Sequence, residues 1–304
     1  MAISNLLFAP PPPKTVGGRM PSALSINELH TCSRSGLSSD LRTLSSLGVF
    51  PISILTSVRS SLFASPSSIS APIPIEPLRA QLSTTLGAPA PKPDATKIGF
   101  AASFHAISAI SEAVQEYKLS PIIIDPELVN PSGQPLMTQA VTRVLAPSLF
   151  PLADLLVLNA SEAELFTGRK VYDRGSMREA NNRLRGDLGL TRILICGGRI
   201  QEHAVDLFFD ENGCVEFGHD RIHTQGIYGK GSTFSALITG YVARGFDWLK
   251  AIELAKEAIS TAILKAPNIA PDLRQVDTMI PALNALMIDP TPLSMIDDRV
   301  KSEA

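Results

Sequence analysis

The chain has 304 residues, 44% of them hydrophobic and 18% charged, with a formal net charge of −2. This length suits one large α/β core or two smaller ones, and the slight acidity leaves no basic excess to neutralise a phosphate backbone, which argues against nucleic-acid binding. No apolar run reaches the ~18 residues needed to span a bilayer, and Cys32, Cys196 and Cys214 are too scattered for a zinc site or a disulfide framework, as expected of reduced thiols in a cytoplasmic protein.

In chain order, residues 1–20 carry Pro10 to Pro13 and lack a basic leader segment, so a flexible Pro-rich tail is expected. Asp40–Leu47 reads as a helix and Phe50–Val58 as a strand, while residues 59–75, rich in Ser and Pro, read as a flexible loop. From residue 96 strands and helices alternate. Lys97-Ile98-Gly99-Phe100 is a short strand, followed by a helix with Ile107, Ile110 and Val114 on its apolar face. Ile122-Ile123-Ile124, apolar on both faces, suits a central parallel strand. A helix near Thr138–Val144, a strand Leu155–Leu158, a helix Met177–Leu188 and a strand Ile193–Ile195 continue the rhythm of a doubly wound sheet.

Val205–Phe209 and Cys214–Phe217 flank the turn Asp210-Glu211-Asn212-Gly213, which predicts a β-hairpin near 204–218. Phe234–Ala243 is a helix ending near Gly245. Asp247 is placed to cap the next, whose apolar face is Leu249, Ile252, Ala255, Ile259 and Ile263. Residues 289–304 form a polar tail expected to fray, leaving 21–288 as the folded domain.

Three segments could carry chemistry. Gly229-Lys230-Gly231-Ser232-Thr233 is a glycine turn opening directly into a helix, where free N–H groups and Lys230 suit a phosphate; a plain helix-entry turn explains the same residues. It is not a Walker A loop, because Lys230 is followed by glycine. Asn159 to Glu162 follows a strand and could organise Mg²⁺ or merely cap a helix. Asp125, at another strand end, has the same two readings. The five histidines lack metal-ligand spacing, and no Gly-x-Ser-x-Gly elbow supports a hydrolase triad.

Taken in order, these segments resemble the hydroxymethylpyrimidine/phosphomethylpyrimidine kinases, with pyridoxal kinases as cousins. The resemblance rests on Asp40-Leu41-Arg42-Thr43 running to Leu47-Gly48, Lys97-Ile98-Gly99, Asp125-Pro126 with Ser132-Gly133, Asn159 with Glu162-Ala163, Cys196-Gly197-Gly198, and Gly229 to Thr233. It implies a ribokinase-like three-layer fold with a mostly parallel central sheet. It also implies transfer of the γ-phosphate of ATP, with Mg²⁺, to a hydroxymethyl group on a pyrimidine or similar heterocycle in thiamine biosynthesis.

By that resemblance Gly229, Gly231 and Ser232 are catalytic, and Lys230, between the two glycines, is placed by spacing to add positive charge to the same turn. Asn159, Glu162, Gly197, Gly198 and Asp125 bind the nucleotide, Glu162 and Asp125 serve the metal, and Gly36, Arg59, Ser61 and Phe100 line the substrate pocket. A homodimer is the corresponding expectation for assembly, with neither nucleic acid nor membrane as a partner. The sequence departs from the family at several of these places: Ser232 stands for Cys or Asp, Cys196 for Lys, Pro131 for Lys and Ser61 for Gln. The alternative reading is therefore a kinase-fold protein that has become a binding or regulatory module, or has been repurposed for other chemistry.

Overall fold

The computed structural model describes residues 18–278 apart from 34, 62–67, 102, 131–133, 198–202, 221, 223–226 and 271–272. Both expected tails, Gly198, Pro131 and the Ser132-Gly133 pair lie wholly or almost wholly outside the described residues.

Nine strands form one sheet in the order β3-β2-β1-β4-β5-β6-β7-β8-β9. They are β1 (Ser22–His30), β2 (Phe50–Ser61), β3 (Ser68–Pro72), β4 (Ala95–Ile98), β5 (Ile122–Ile124), β6 (Leu155–Asn159), β7 (Ile193–Cys196), β8 (His203–Asp210) and β9 (Gly213–Asp220). β2, β1, β4, β5, β6 and β7, neighbours in that order, run parallel. The β8–β9 hairpin turns at Asp210–Gly213 as its sequence predicts.

Alternating side chains of the central strands feed two cores. Ile122 and Ile124 of β5 with Leu156 and Leu158 of β6 enter one. Ile123, Leu155 and Val157 enter the other. The first core is covered by α2 (Ile75–Leu86), α3 (Phe104–Glu116), α4 (Gln139–Leu149), α5 (Ala160–Thr167) and α6 (Arg174–Leu188). The second is covered by α1 (Leu37–Ser46), α7 (Lys230–Ala243) and α8 (Trp248–Leu264). Strands buried on both faces explain the unbroken isoleucine and leucine runs. The result is the expected three-layer α/β architecture.

Two local readings are corrected, and one small sheet is added. The Ser/Pro-rich stretch 59–75 is not one loop: β2 continues to Ser61, and Ser68–Pro72 returns antiparallel beside it as β3. Its Ser and Ile residues suit an edge strand, where one side needs no partner. Leu249 faces solvent at 42% exposure. The rest of the expected face holds: Ile252, Ala255 and Ile259 are buried, joined by Ala251, Ala262 and Lys256, whose ammonium reaches a buried carboxylate, Asp206. A small second sheet, β10 (Ile227–Tyr228) with β12 (Leu273–Gln275) and β11 (Asn268–Ala270), has no counterpart in the sequence reading. Its strands of two or three residues are too short to show alternation. Among the described residues, no helix is long and apolar enough to cross a membrane.

Candidate active site

Chain order reverses between β1 and β4, and a doubly wound sheet opens a crevice at the carboxyl ends of its strands at such a switch. The last residues of β1, the residue after β5 and the first turns of α1 and α7 all converge there. Gly36 caps α1 with φ 64°, and a Cβ there would meet the Glu28 carbonyl oxygen at 2.2 Å. Gly229 caps α7 at φ 82°. Both angles favour glycine. The two helix starts are stitched together: the Gly36 amide donates to Ser232 Oγ at 3.1 Å, and Ser39 and Thr233 share a hydroxyl hydrogen bond of 2.8 Å.

Beneath this junction lies a buried polar cluster. Lys97 Nζ of β4 contacts Asp40 Oδ1 at 2.6 Å, Ser232 Oγ at 3.2 Å and Glu127 Oε1 at 3.5 Å. Asp40 also accepts from Ser25 at 2.7 Å, Asn27 at 3.1 Å and Ser232 at 3.1 Å. Burial alone works against the Lys97 charge, but Asp40, Glu127 and Asp125 outweigh it and raise its pKa. Asp40 enters the sequence reading only as part of the helix that runs to Leu47-Gly48, with no site role, and Glu127 not at all, because a lone Asp or Glu in a helix or loop looks like any surface charge.

Asp125, just past β5, accepts from Ser235 Oγ at 2.5 Å. Burial first, and then the Glu127 charge, push its carboxyl up to about 7 despite Lys97. Asn159 and Glu162 form a reciprocal capping box at the start of α5. One Glu162 oxygen accepts from the Asn159 amide at 3.0 Å, the other from the Leu128 amide at 2.8 Å. Burial and Asp125 raise Glu162 to about 8, against those two amides.

The other expected positions lie on or just after their own strands and helices. Gly197 follows β7 and donates to Asp206 at 3.0 Å. Cys196 is half-buried at the end of β7, and desolvation together with Asp206 pushes its thiol well up, so it is a poor nucleophile. Arg59 is buried against Glu28 at 2.7 Å, with its guanidinium 4.8 Å from the Phe100 ring centre. Phe100 is itself fixed by Asn27, which accepts from its amide at 2.9 Å. Ser61 ends β2 opposite Ser68. Lys230 is exposed at the start of α7.

The space beside the glycine turn suits an anion. A Cβ built at Gly231 meets no atom within 4 Å. The first amides of α7 lack intrahelical carbonyls and lie at the helix's positive end. Among the described residues no three His, Cys, Asp or Glu side chains come together to hold a metal ion. Asp125 and Glu162 are the acidic side chains here that could serve a Mg²⁺ carried mainly by phosphate and water.

The phosphomethylpyrimidine kinase family model matches residues 31–277. The thiamine biosynthesis bifunctional protein ThiED of Geobacter sulfurreducens is 34% identical over 230 residues, covering 75% of this chain but only 46% of that protein. The chain thus spans less than half of that bifunctional relative. The hydroxymethylpyrimidine/phosphomethylpyrimidine kinase of Rhizobium meliloti is 30% identical over 250 residues, 81% of this chain and 92% of its own length. Among solved structures, an ADP complex of Bacillus subtilis pyridoxal kinase superposes with a TM-score of 0.79 at 27% identity, covering 89% of this chain and all of that one.

Proposed function

The chain belongs to the phosphomethylpyrimidine kinase family, and from that premise we propose that it transfers the γ-phosphate of ATP to the hydroxymethyl group of a pyrimidine, as in thiamine biosynthesis. The observation that supports this best is the meeting of the Gly229–Ser232 turn with the buried Asp40–Lys97 pair at the sheet's switch point. Phosphoryl transfer needs positioning and charge stabilisation more than covalent help from the protein. The α7 amides and Lys230 receive negative oxygens, and Gly231 leaves the approach open. Mg²⁺, if bound, would neutralise phosphate charge, and Asp125 and Glu162 are the residues that would serve it; Glu162 is already held by two backbone amides. Asn159 holds Glu162 in place. Phe100, Arg59 and Gly36 border the acceptor.

One observation favours the second reading, a nucleotide-binding module without turnover. The Arg59–Glu28 pair and Asn27 fill the ends of β1 and β2 with the chain's own polar side chains. The two readings separate in a coupled ADP-release assay. The kinase reading expects ADP only when Mg-ATP and hydroxymethylpyrimidine are both present. A thermal shift with Mg-ATP and no acceptor-dependent ADP would favour the binding module.

A further inference from the structure

Ser232 occupies the position from which the acceptor hydroxyl would be deprotonated, yet its own hydroxyl is fully engaged. It accepts from the Gly36 amide at 3.1 Å and from Lys97 Nζ at 3.2 Å. Its single proton is shared between Glu127 Oε1 at 2.9 Å and Asp40 Oδ1 at 3.1 Å. A serine hydroxyl has one proton and two lone pairs, so no site remains to take a substrate proton. It is also a far weaker base than a carboxylate at neutral pH.

Two carboxylates touch that hydroxyl, and they differ in access. The Asp40 side chain is fully sealed, whereas that of Glu127 is 16% exposed. Glu127 Oε1 accepts from Asn27 Nδ2 at 3.2 Å, from Lys97 and from Ser232. No hydrogen bond from a described residue reaches its second oxygen, Oε2. The backbone holds Glu127 at φ 50°, a left-handed angle that is unusual for a residue with a side chain. The next residue, Leu128, is pinned by its amide to Glu162. Three donors fix one oxygen of a carboxylate at the crevice and leave the other available.

Resting on the kinase reading above, we propose that Glu127, rather than Ser232, is the catalytic base of phosphoryl transfer. The acceptor O–H bond breaks and its proton passes to Glu127 Oε2. The freed oxygen bonds to the γ-phosphorus, and the bond from that phosphorus to the β–γ bridging oxygen breaks. ADP departs with that electron pair, and Glu127 then releases the proton to water. Lys97 and Asn27 are positioning residues that hold the carboxylate, and Ser232 links it to the α7 turn.

The test compares wild type, Glu127→Gln, Ser232→Ala and the double variant E127Q/S232D in the hydroxymethylpyrimidine-dependent ADP assay, each with its melting temperature. Removing the base should lower kcat about 100-fold or more with the KM for Mg-ATP unchanged. Ser232→Ala, which loses only a link to the carboxylate, should lose less than Glu127→Gln. E127Q/S232D, which restores a carboxylate one contact away, should recover at least about tenfold over E127Q, a rescue that a merely structural role would not give. Should E127Q fail to fold, Glu127→Asp decides by retracting the carboxylate: a fall of about tenfold or more at an unchanged melting temperature supports the proposal, and a wild-type rate overturns it. Full activity in E127Q, or a larger loss in Ser232→Ala than in E127Q, also overturns it while leaving the kinase intact. A wild-type chain with no acceptor-dependent ADP removes the kinase reading and the base with it.

Discussion

Asp40 Oδ1 and Lys97 Nζ sit 2.6 Å apart with both side chains sealed from solvent. The pair joins α1 to β4 and supports Ser232 of α7 from below. Removing one partner strands the other charge in the interior, which costs about 3–5 kcal/mol, whereas removing both costs far less. Lys97→Met and Asp40→Asn should therefore each lower unfolding free energy by about that amount, and the double variant by clearly less than their sum. Urea unfolding of the four proteins measures this directly.

Gly231 separates stability from ligand binding. Inside a helix, alanine is favoured over glycine by about 1 kcal/mol, and a Cβ at Gly231 meets nothing within 4 Å. Gly231→Ala should melt at or above the wild-type temperature. The methyl would stand where phosphate oxygens approach, so the stabilisation by Mg-ATP should shrink. Paired thermal melts, with and without Mg-ATP, show both effects.

Two buried carboxyls set a pH dependence. Burial raises Asp125 to about 7 and Glu162 to about 8, whereas unfolded carboxyls titrate near 4. Between these limits the native state holds protons that the unfolded state has released, so the slope of unfolding free energy with pH is negative. Stability from this source is fully present below about pH 4, falls as pH rises through the folded-state values and levels off above about pH 8. Glu162→Gln should flatten the upper part of that fall. Denaturant midpoints measured across this range check it.

Arg59 and Glu28 fill the end of β1 and β2. Burial raises the Glu28 carboxyl against the opposing pull of Arg59, so loss of the guanidinium should neutralise Glu28 rather than leave it charged. Arg59→Met should lower stability and change the KM for the pyrimidine while leaving that for Mg-ATP near wild type. Steady-state kinetics varying each substrate in turn distinguish this from a general loss of folding.

From β5 to α6 the chain is legible because its strands are apolar on both faces and its helices carry regular apolar faces. Ile122–Ile124 and the Asp210–Gly213 turn fell where their residues place them. The first third resisted. β1 buries Ser22, Ser25, Asn27 and Glu28 among its apolar residues, so its composition hides a central strand. The glycine turn and the Asn159–Glu162 box announced themselves through local spacing. The cluster of Asp40, Lys97, Glu127 and Ser232 did not, because its members lie up to 192 residues apart and each looks ordinary alone. Only the fold brings them together.

The most direct test of the account is the product itself. Purified chain incubated with Mg-ATP and hydroxymethylpyrimidine should yield a phosphomonoester on the hydroxymethyl oxygen, seen by phosphorus NMR, in step with ADP. ATP left intact, or ADP formed at the same rate without the pyrimidine, would contradict it.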